Sequence, residues 1–299
     1  MEKNKKKVIV FGGSGFLGSH VADKLSENLY EVTVFDKNPP IYISKNQKYI
    51  EGDILSKDDV YSAIKNHDYV YHFAGLSDLN VAINNPIDTV NLNILGTVNI
   101  LEACKKNKIK KFIFASTIYV YSKQGSFYKV SKQACENYIE NYFYEYGLNY
   151  IILRYGSLYG PRSNNSNGLY RFINDALKNN KMEFNGDPNS KREFIHVEDA
   201  AECTVNILND SKIKHNHITI TGNQLISIKE LFDVISEILP NKKIKYFFNN
   251  EKVNSHYNIT PYEYSPKKGR KIIPTQFIDL GQGLLNLIEN IDQDLLGEK

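Results

Sequence analysis

A tyrosine four residues ahead of a lysine can be a catalytic base with its helper. This chain carries that pattern at Tyr61/Lys65, Tyr119/Lys123, Tyr128/Lys132 and Tyr264/Lys268. A free phenol has a pKa of about 10 and is a poor base at neutral pH. A lysine ammonium one helical turn away favours the phenolate, as does a cationic ring nearby. Such a tyrosine can take a proton from an alcohol or sugar hydroxyl while hydride leaves the same carbon. A second hydroxyl bonded to that oxygen completes the set, and Ser116-Thr117 in "FASTIYVYSKQGSFYKVSK" supplies one eleven residues before Tyr128.

Context sorts the pairs. Tyr61/Lys65 falls in a polar helix facing away from the converging strand ends. Tyr119/Lys123 lies in a loop just past a strand, and Tyr264/Lys268 in a Pro- and Lys-rich stretch. Tyr128/Lys132 opens a helix that holds i, i+4 geometry. That helix follows a strand ending in hydroxyls at the carboxyl edge of a sheet, where such folds bind ligands. Tyr128 is therefore read as the base and Lys132 as its helper and a ligand of the nicotinamide ribose, with Thr117 bonding the substrate oxygen.

A second constellation opens the chain. "VIVFGGSGFLGSH" places Gly12, Gly15 and Gly18 between a strand and a helix. A turn there must bring backbone N–H groups against a pyrophosphate at the positive end of the helix, and side chains would block it. Asp36 ends the second strand, 18 positions past Gly18. A carboxylate there accepts hydrogen bonds from the adenosine ribose hydroxyls and repels a 2′-phosphate, which favours NAD over NADP. Lys37, next to it, pulls the other way.

The elements that must position these residues alternate. "KKVIVFGG", "YEVTVFD", "KYIEGD", "DYVYHFAG", "KKFIFAST" and "NYIILRYG" read as strands, with helical segments near 56–66, 84–107 and 128–146 between them. This alternation implies right-handed crossovers and a doubly wound parallel sheet, a Rossmann-type α/β fold. After residue 160 the rhythm changes at "GPRSNNSNG". Helices near 167–179, 198–209, 227–239 and 276–291 and strands "HITIT" and "KIKYFF" read as a smaller mixed α/β lobe. The expected organisation is a cofactor domain over 1–160 and a substrate lobe over 161–299, with some exchange of elements.

Composition excludes several classes. Over 299 residues the formal net charge is +3, far from the concentrated basic patch of a nucleic-acid binder. Cys104, Cys135 and Cys203 show no Cys-x-x-Cys spacing, so neither a disulfide framework nor a metal site is expected. No run approaches the roughly 20 apolar residues of a spanning helix. The expected protein is cytoplasmic and does not engage a membrane.

Taken in order, "GGSGFLGSH", "GDI", "HFAGL", "NILGTVNILEAC", "YKVSK", "LRYGSLYGPR" and "KREFIHVEDAA" resemble the extended short-chain dehydrogenase/reductases, in particular the nucleotide-sugar epimerase/dehydratase group. The resemblance covers most of the chain. It implies NAD as cofactor and a nucleotide sugar as substrate. It implies that Asp53 and Ile54 flank the adenine and that Phe16, Leu17, Phe73, Ala74, Gly75 and Ala115 line the cofactor. Asn93 would brace the site on the cofactor side, and Tyr155 would stand beside the nicotinamide. Ser77, Ser116 and Ser157 would face the substrate, and Arg192 would clamp its diphosphate, a task suited to a guanidinium. From its residues alone, Asn93 can equally cap backbone, and Arg192 can pair with Glu193 or Glu198.

Departures from the family pattern narrow the reaction. Dehydrating members carry Asp-Glu after the hydroxyl pair, and 3,5-epimerases a Cys; here Ile118 and Tyr119 stand there. Hydride transfer alone remains: 4-epimerisation through a 4-keto sugar, or reduction of a 4-keto sugar nucleotide, with a non-catalytic NAD-binding role as a third possibility. Lys129 in place of Gly, Ser157 in place of Asn and the short Thr117–Tyr128 step leave the sugar open, and the trimmed loop implies a bulkier or differently shaped one. Ala134, Tyr138, Tyr142 and Tyr146 form a wide helical stripe. Relatives dimerise through this helix and the one near 84–107, which implies a homodimer.

Overall fold

The run Lys7–Phe11 is almost wholly apolar because both faces of its strand are covered. Val8 and Val10 enter one core and Ile9 and Phe11 the other, with the period of two that a strand imposes. The computed structural model describes residues 5–262 apart from 211, 212, 214, 242 and 250–256. The helix expected near 276–291 and the Tyr264/Lys268 pair lie outside the described residues.

The first elements are β1 (Lys7–Phe11), α1 (Phe16–Glu27), β2 (Glu31–Asp36), β3 (Gln47–Glu51), α2 (Lys57–Ile64), β4 (Tyr69–His72), α3 (Leu79–Asn84), α4 (Pro86–Thr89) and α5 (Gly96–Lys106). They continue with β5 (Lys111–Thr117), α6 (Ser126–Tyr146), β6 (Tyr150–Tyr155), β7 (Ser157–Tyr159), α7 (Gly168–Asn179), β8 (Lys181–Asn185) and β9 (Lys191–His196). The last described are α8 (Val197–Asn209), β10 (Asn216–Ile220), β11 (Leu225–Ser227), α9 (Ile228–Ile238) and β12 (Lys245–Asn249).

Seven parallel strands form the main sheet in the order β10-β6-β5-β4-β1-β2-β3. The alternation read from sequence thus does form a doubly wound parallel sheet. Strand order reverses between β1 and β4, so the loops after them part and open a crevice at the carboxyl edge. The smaller lobe holds the β11-β9-β7 and β12-β8 sheets around Leu169, Ala176, Met182 and Phe232. Helix α9 starts with a capping box between Ser227 and Glu230.

Two expectations need correction. "HITIT" is not part of the lobe: β10 pairs with β6 at the edge of the main sheet, and Ala200, Ala201 and Val205 of α8 enter the same core. The chain therefore returns to the main sheet well after residue 160, because the edge of β6 offers unpaired backbone and its face an uncovered apolar surface. The helix expected near 84–107 runs from Pro86 to Lys106 but is not α throughout. Pro86 lacks an N–H and pushes Asn85 out of helical geometry, to φ −131° and ψ 65°. Val90–Leu95 then form a π-helical turn before α5. No helix among the described residues is long and apolar enough to cross a membrane.

Candidate active site

The β1–α1 turn accepts only glycine at its tightest points. Gly12 has a φ of 76°, and its N–H donates to the Phe35 carbonyl at 2.9 Å. A Cβ on Gly12 would lie 2.4 Å from the Ala74 nitrogen, and one on Gly18 would lie 2.2 Å from the Gly12 carbonyl oxygen. Gly15 caps α1 without any side-chain bond, and the first turn holds no acidic residue. The leading N–H groups and positive end of α1 are thus not spent on the chain's own side chains, which suits an anion. Asp36 accepts from the N–H groups of Ser14 and Asn38, both at 3.1 Å. Lys37 turns toward Asp53 at 3.3 Å, an exposed pair.

A cavity of about 440 Å³ opens over this turn. Gly12, Gly15, Phe16, Leu17 and Asp36 form one wall; Asp53, Ile54, Phe73, Ala74, Gly75 and Ala115 add the loop ends of β3, β4 and β5. Thr117, Tyr128, Lys132 and Tyr155 line the same cavity. A second cavity of about 750 Å³ adjoins it and shares Ser77, Thr117, Tyr128, Gly156 and Leu158. Tyr119, Ser157, Arg171 and Arg192 line the second cavity only. Thr117 and Tyr128 thus stand where the two cavities meet.

Helix α6 holds Tyr128 and Lys132 one turn apart, Tyr128 half-buried in the cavity wall and Lys132 buried behind it. The Thr117 hydroxyl is hydrogen-bonded to that of Tyr128. Lys132 Nζ donates to the Ala115 carbonyl at 2.8 Å and lies 4.5 Å above the Phe114 ring. Burial pushes the Tyr128 phenol up to about 12, with the Thr117 bond pulling the other way. The phenolate that Lys132 was expected to favour is therefore not favoured by the chain alone, because desolvation of the anion outweighs it. Burial also lowers the Lys132 ammonium.

Ser116, Asn93 and Tyr119 depart from expectation. The Ser116 hydroxyl lines the first cavity, not the second, and donates its proton to Glu136 at 2.5 Å. Asn93 lines neither cavity. Its Oδ1 accepts from Leu76 N at 2.7 Å, and its Nδ2 donates to Leu76 O and Ser131 Oγ at 3.0 and 2.8 Å. It touches the loop and not the cofactor space, because the π turn points it at the backbone after β4. Tyr119, set aside as a loop residue, packs edge-on to Tyr128 and 4.8 Å from the Tyr257 ring.

Tyr257 carries no motif, and nothing in the local sequence announces it. It arrives from the far end of the described chain to lie 4.3 Å under the Arg192 guanidinium, with its hydroxyl 3.4 Å from Ser157 Oγ. Arg192 is buried against this ring and not paired with Glu193 or Glu198 on the surface. The Tyr155 hydroxyl pairs with Thr204 at 2.6 Å, which fixes its ring at the cavity wall. Gly156 and Leu158 were legible in "LRYGSLYGPR", whereas Arg171 is an ordinary helix arginine by sequence.

The glycine cradle, the unspent helix terminus and the Asp36 carboxylate fit a dinucleotide with free ribose hydroxyls. Comparison with known proteins agrees. The model of the NAD dependent epimerase/dehydratase family matches residues 8–221. The chain is 34% identical over 252 residues to the "Putative UDP-glucose 4-epimerase" of Methanocaldococcus jannaschii, covering 76% of this chain and 81% of that one. It is 32% identical to the UDP-N-acetyl-alpha-D-glucosaminuronate decarboxylase of Bacillus cytotoxicus, over 84% of this chain and 86% of the relative. Among solved structures, the UDP-glucuronic acid 4-epimerase of Bacillus cereus, in complex with UDP-glucuronic acid and NAD, superposes with a TM-score of 0.80 at 27% identity. That match covers 88% of this chain and 95% of the other. A glycine-cradled dinucleotide site joined at Tyr128 to a second cavity, on a chain so matched, is that of an enzyme of the NAD dependent epimerase/dehydratase family, with NAD as its cofactor.

Proposed function

We propose that this enzyme is a nucleotide-sugar 4-epimerase that inverts the sugar C4 hydroxyl through a 4-keto sugar. The observation that carries this reading is the position of Thr117 and Tyr128 at the junction of the two cavities. When bound, NAD supplies a hydride acceptor and, in its oxidised form, a positive charge that offsets the burial of the phenol. Tyr128 Oη takes the proton of the 4-hydroxyl, and Thr117 holds the same oxygen by a hydrogen bond. Lys132 keeps a positive charge within a helical turn of the phenol. Tyr128 returns the proton to O4 once the keto sugar has presented its other face.

Arg192, held flat by Tyr257, and Arg171 give the second cavity the cations a diphosphate needs. Ile118 is buried and Tyr119 is an aromatic wall, so neither supplies the acid/base pair that dehydration requires. The relatives named above act on UDP-sugars, and UDP-sugars are the first candidates here. A homodimer through α6 and the helical stretch before α5 completes the proposal.

The test is to incubate the purified protein with UDP-, GDP-, CDP- and dTDP-sugars, without added cofactor, and follow the sugars by NMR. An epimer at C4 is the expected product. Conversion only of 4-keto sugars, and only with NADH or NADPH supplied, would replace the epimerase reading with a reductase.

A further inference from the structure

Behind the catalytic helix lies a buried polar network that the reaction just described does not use. Glu136 follows Lys132 by one turn of α6 and, like it, is almost fully buried. Its carboxylate is held by two bonds from Arg154 on β6, Nε to Oε1 at 3.0 Å and Nη2 to Oε2 at 2.6 Å. Oε1 also accepts from Ser116 Oγ, and Arg154 Nη1 reaches the Tyr121 hydroxyl at 2.6 Å. The network therefore ties four pieces of the site together. They are the strand end that carries Thr117, the turn after it, the helix that carries Tyr128 and Lys132, and the strand that ends in Tyr155.

Fold stability alone is a poor reason for such a network, since an apolar set of similar volume commonly serves a core as well as a buried ion pair. The groups around Lys132 suggest a better one. Tyr128 and Cys135 share its helix, Ala115 contributes a carbonyl, and the neutral His72 on β4 lies within reach of its charge. Burial lowers the Lys132 ammonium, and Cys135 and then Glu136, one turn further along the helix, oppose that effect.

We infer that Glu136 is a positioning residue for catalysis, which Arg154 and Ser116 fix so that its carboxylate holds α6, and with it Tyr128 and Lys132, in register with Thr117. The inference rests on the proposed roles of Tyr128 and Lys132, but its deciding measurement needs no substrate. In protein labelled with [13Cε]lysine and loaded with NAD, the Lys132 resonance is assigned by its loss in Lys132→Met and titrated with pH. In Glu136→Gln we expect its midpoint to fall by about one unit or more. Where a nucleotide sugar is turned over, kcat should fall at least tenfold with KM within about threefold, and the alkaline limb of the kcat profile should move to lower pH. Should Glu136→Gln not fold, the apolar pair Glu136→Leu/Arg154→Met, which removes carboxylate and guanidinium together, keeps the kinetic measurement available, and the same fall in kcat is expected. A Lys132 midpoint within 0.2 unit of the parent in Glu136→Gln overturns the inference, and so does kcat retained in whichever variant folds.

Discussion

At the scale of single residues, the site is defined by which polar groups the fold hides from water. Tyr128→Phe removes only a hydroxyl, so turnover should drop by about a hundredfold to ten-thousandfold, the usual worth of a general base. Bound NAD, measured after denaturing release, should be unchanged. His72 supplies the pH prediction. It is buried, with Nε2 2.9 Å from Thr97 Oγ1, and burial holds its imidazole well below the usual histidine range. The folded chain keeps it neutral while the unfolded chain takes up a proton near pH 6.5. Its contribution to stability is therefore complete above that pH and shrinks as pH falls below it, by up to about 1.4 kcal/mol per unit. Urea unfolding at pH 7.5, 6.5 and 5.5 should show a flatter acid slope for His72→Gln than for the parent. Parallel slopes would mean that His72 protonates in the folded state as well.

At the scale of elements, what the sequence discloses follows from how local each cause is. The parallel sheet was legible because strands buried on both faces must be apolar at successive positions, as Val8–Phe11 are. The β1–α1 turn was legible because glycine is demanded by backbone approaches within one short loop and its neighbour. The destination of β10 was not legible, since an edge strand of the main sheet and a strand of the lobe share the same pattern. Nor was the geometry of Ser116 and Asn93, whose partners lie 20 and 17 residues away. Tyr257 marks the limit of such reading, because it meets Ser157 across 100 residues of chain. The π turn around Asn93 is itself testable. Asn93→Ala leaves the Leu76 N–H and carbonyl without their side-chain partner, and a buried unsatisfied group costs about 1–3 kcal/mol. Stability in urea should fall by about 2 kcal/mol, and NAD should dissociate faster because Gly75 and Leu76 lose their brace. Unchanged NAD retention would confine Asn93 to a stabilising role.

At the scale of the whole molecule, the proposed dimer can be set against the exposed apolar residues. The aromatic stripe expected along α6 is only partly free. The Tyr142 hydroxyl donates to Glu102 at 2.7 Å, and Lys105 lies 4.3 Å above the Tyr146 ring, so both rings at this end of the helix make contacts within their own chain although Tyr146 stays exposed. The other end is uncovered: Phe127, Val130 and Tyr138 are 47%, 52% and 47% exposed. Helix α3, α4 and the π turn pack beside α6 and expose Val81, Ile83, Ile87, Val90 and Leu95. Exposed apolar residues on helices that pack side by side are where the proposed dimer would form. In a two-fold dimer the same face serves both partners, so each substitution acts twice. Light scattering at micromolar concentration should give a dimer for the parent chain. Val130→Glu and Ile87→Glu together place two unpaired charges per copy in the interface, and should yield a monomer of unchanged circular dichroism. Because α6 also carries Tyr128 and Lys132, the monomer should lose kcat more than NAD affinity, which ties assembly to the placement of the base. A parent chain that is monomeric at that concentration would remove both the dimer and this link.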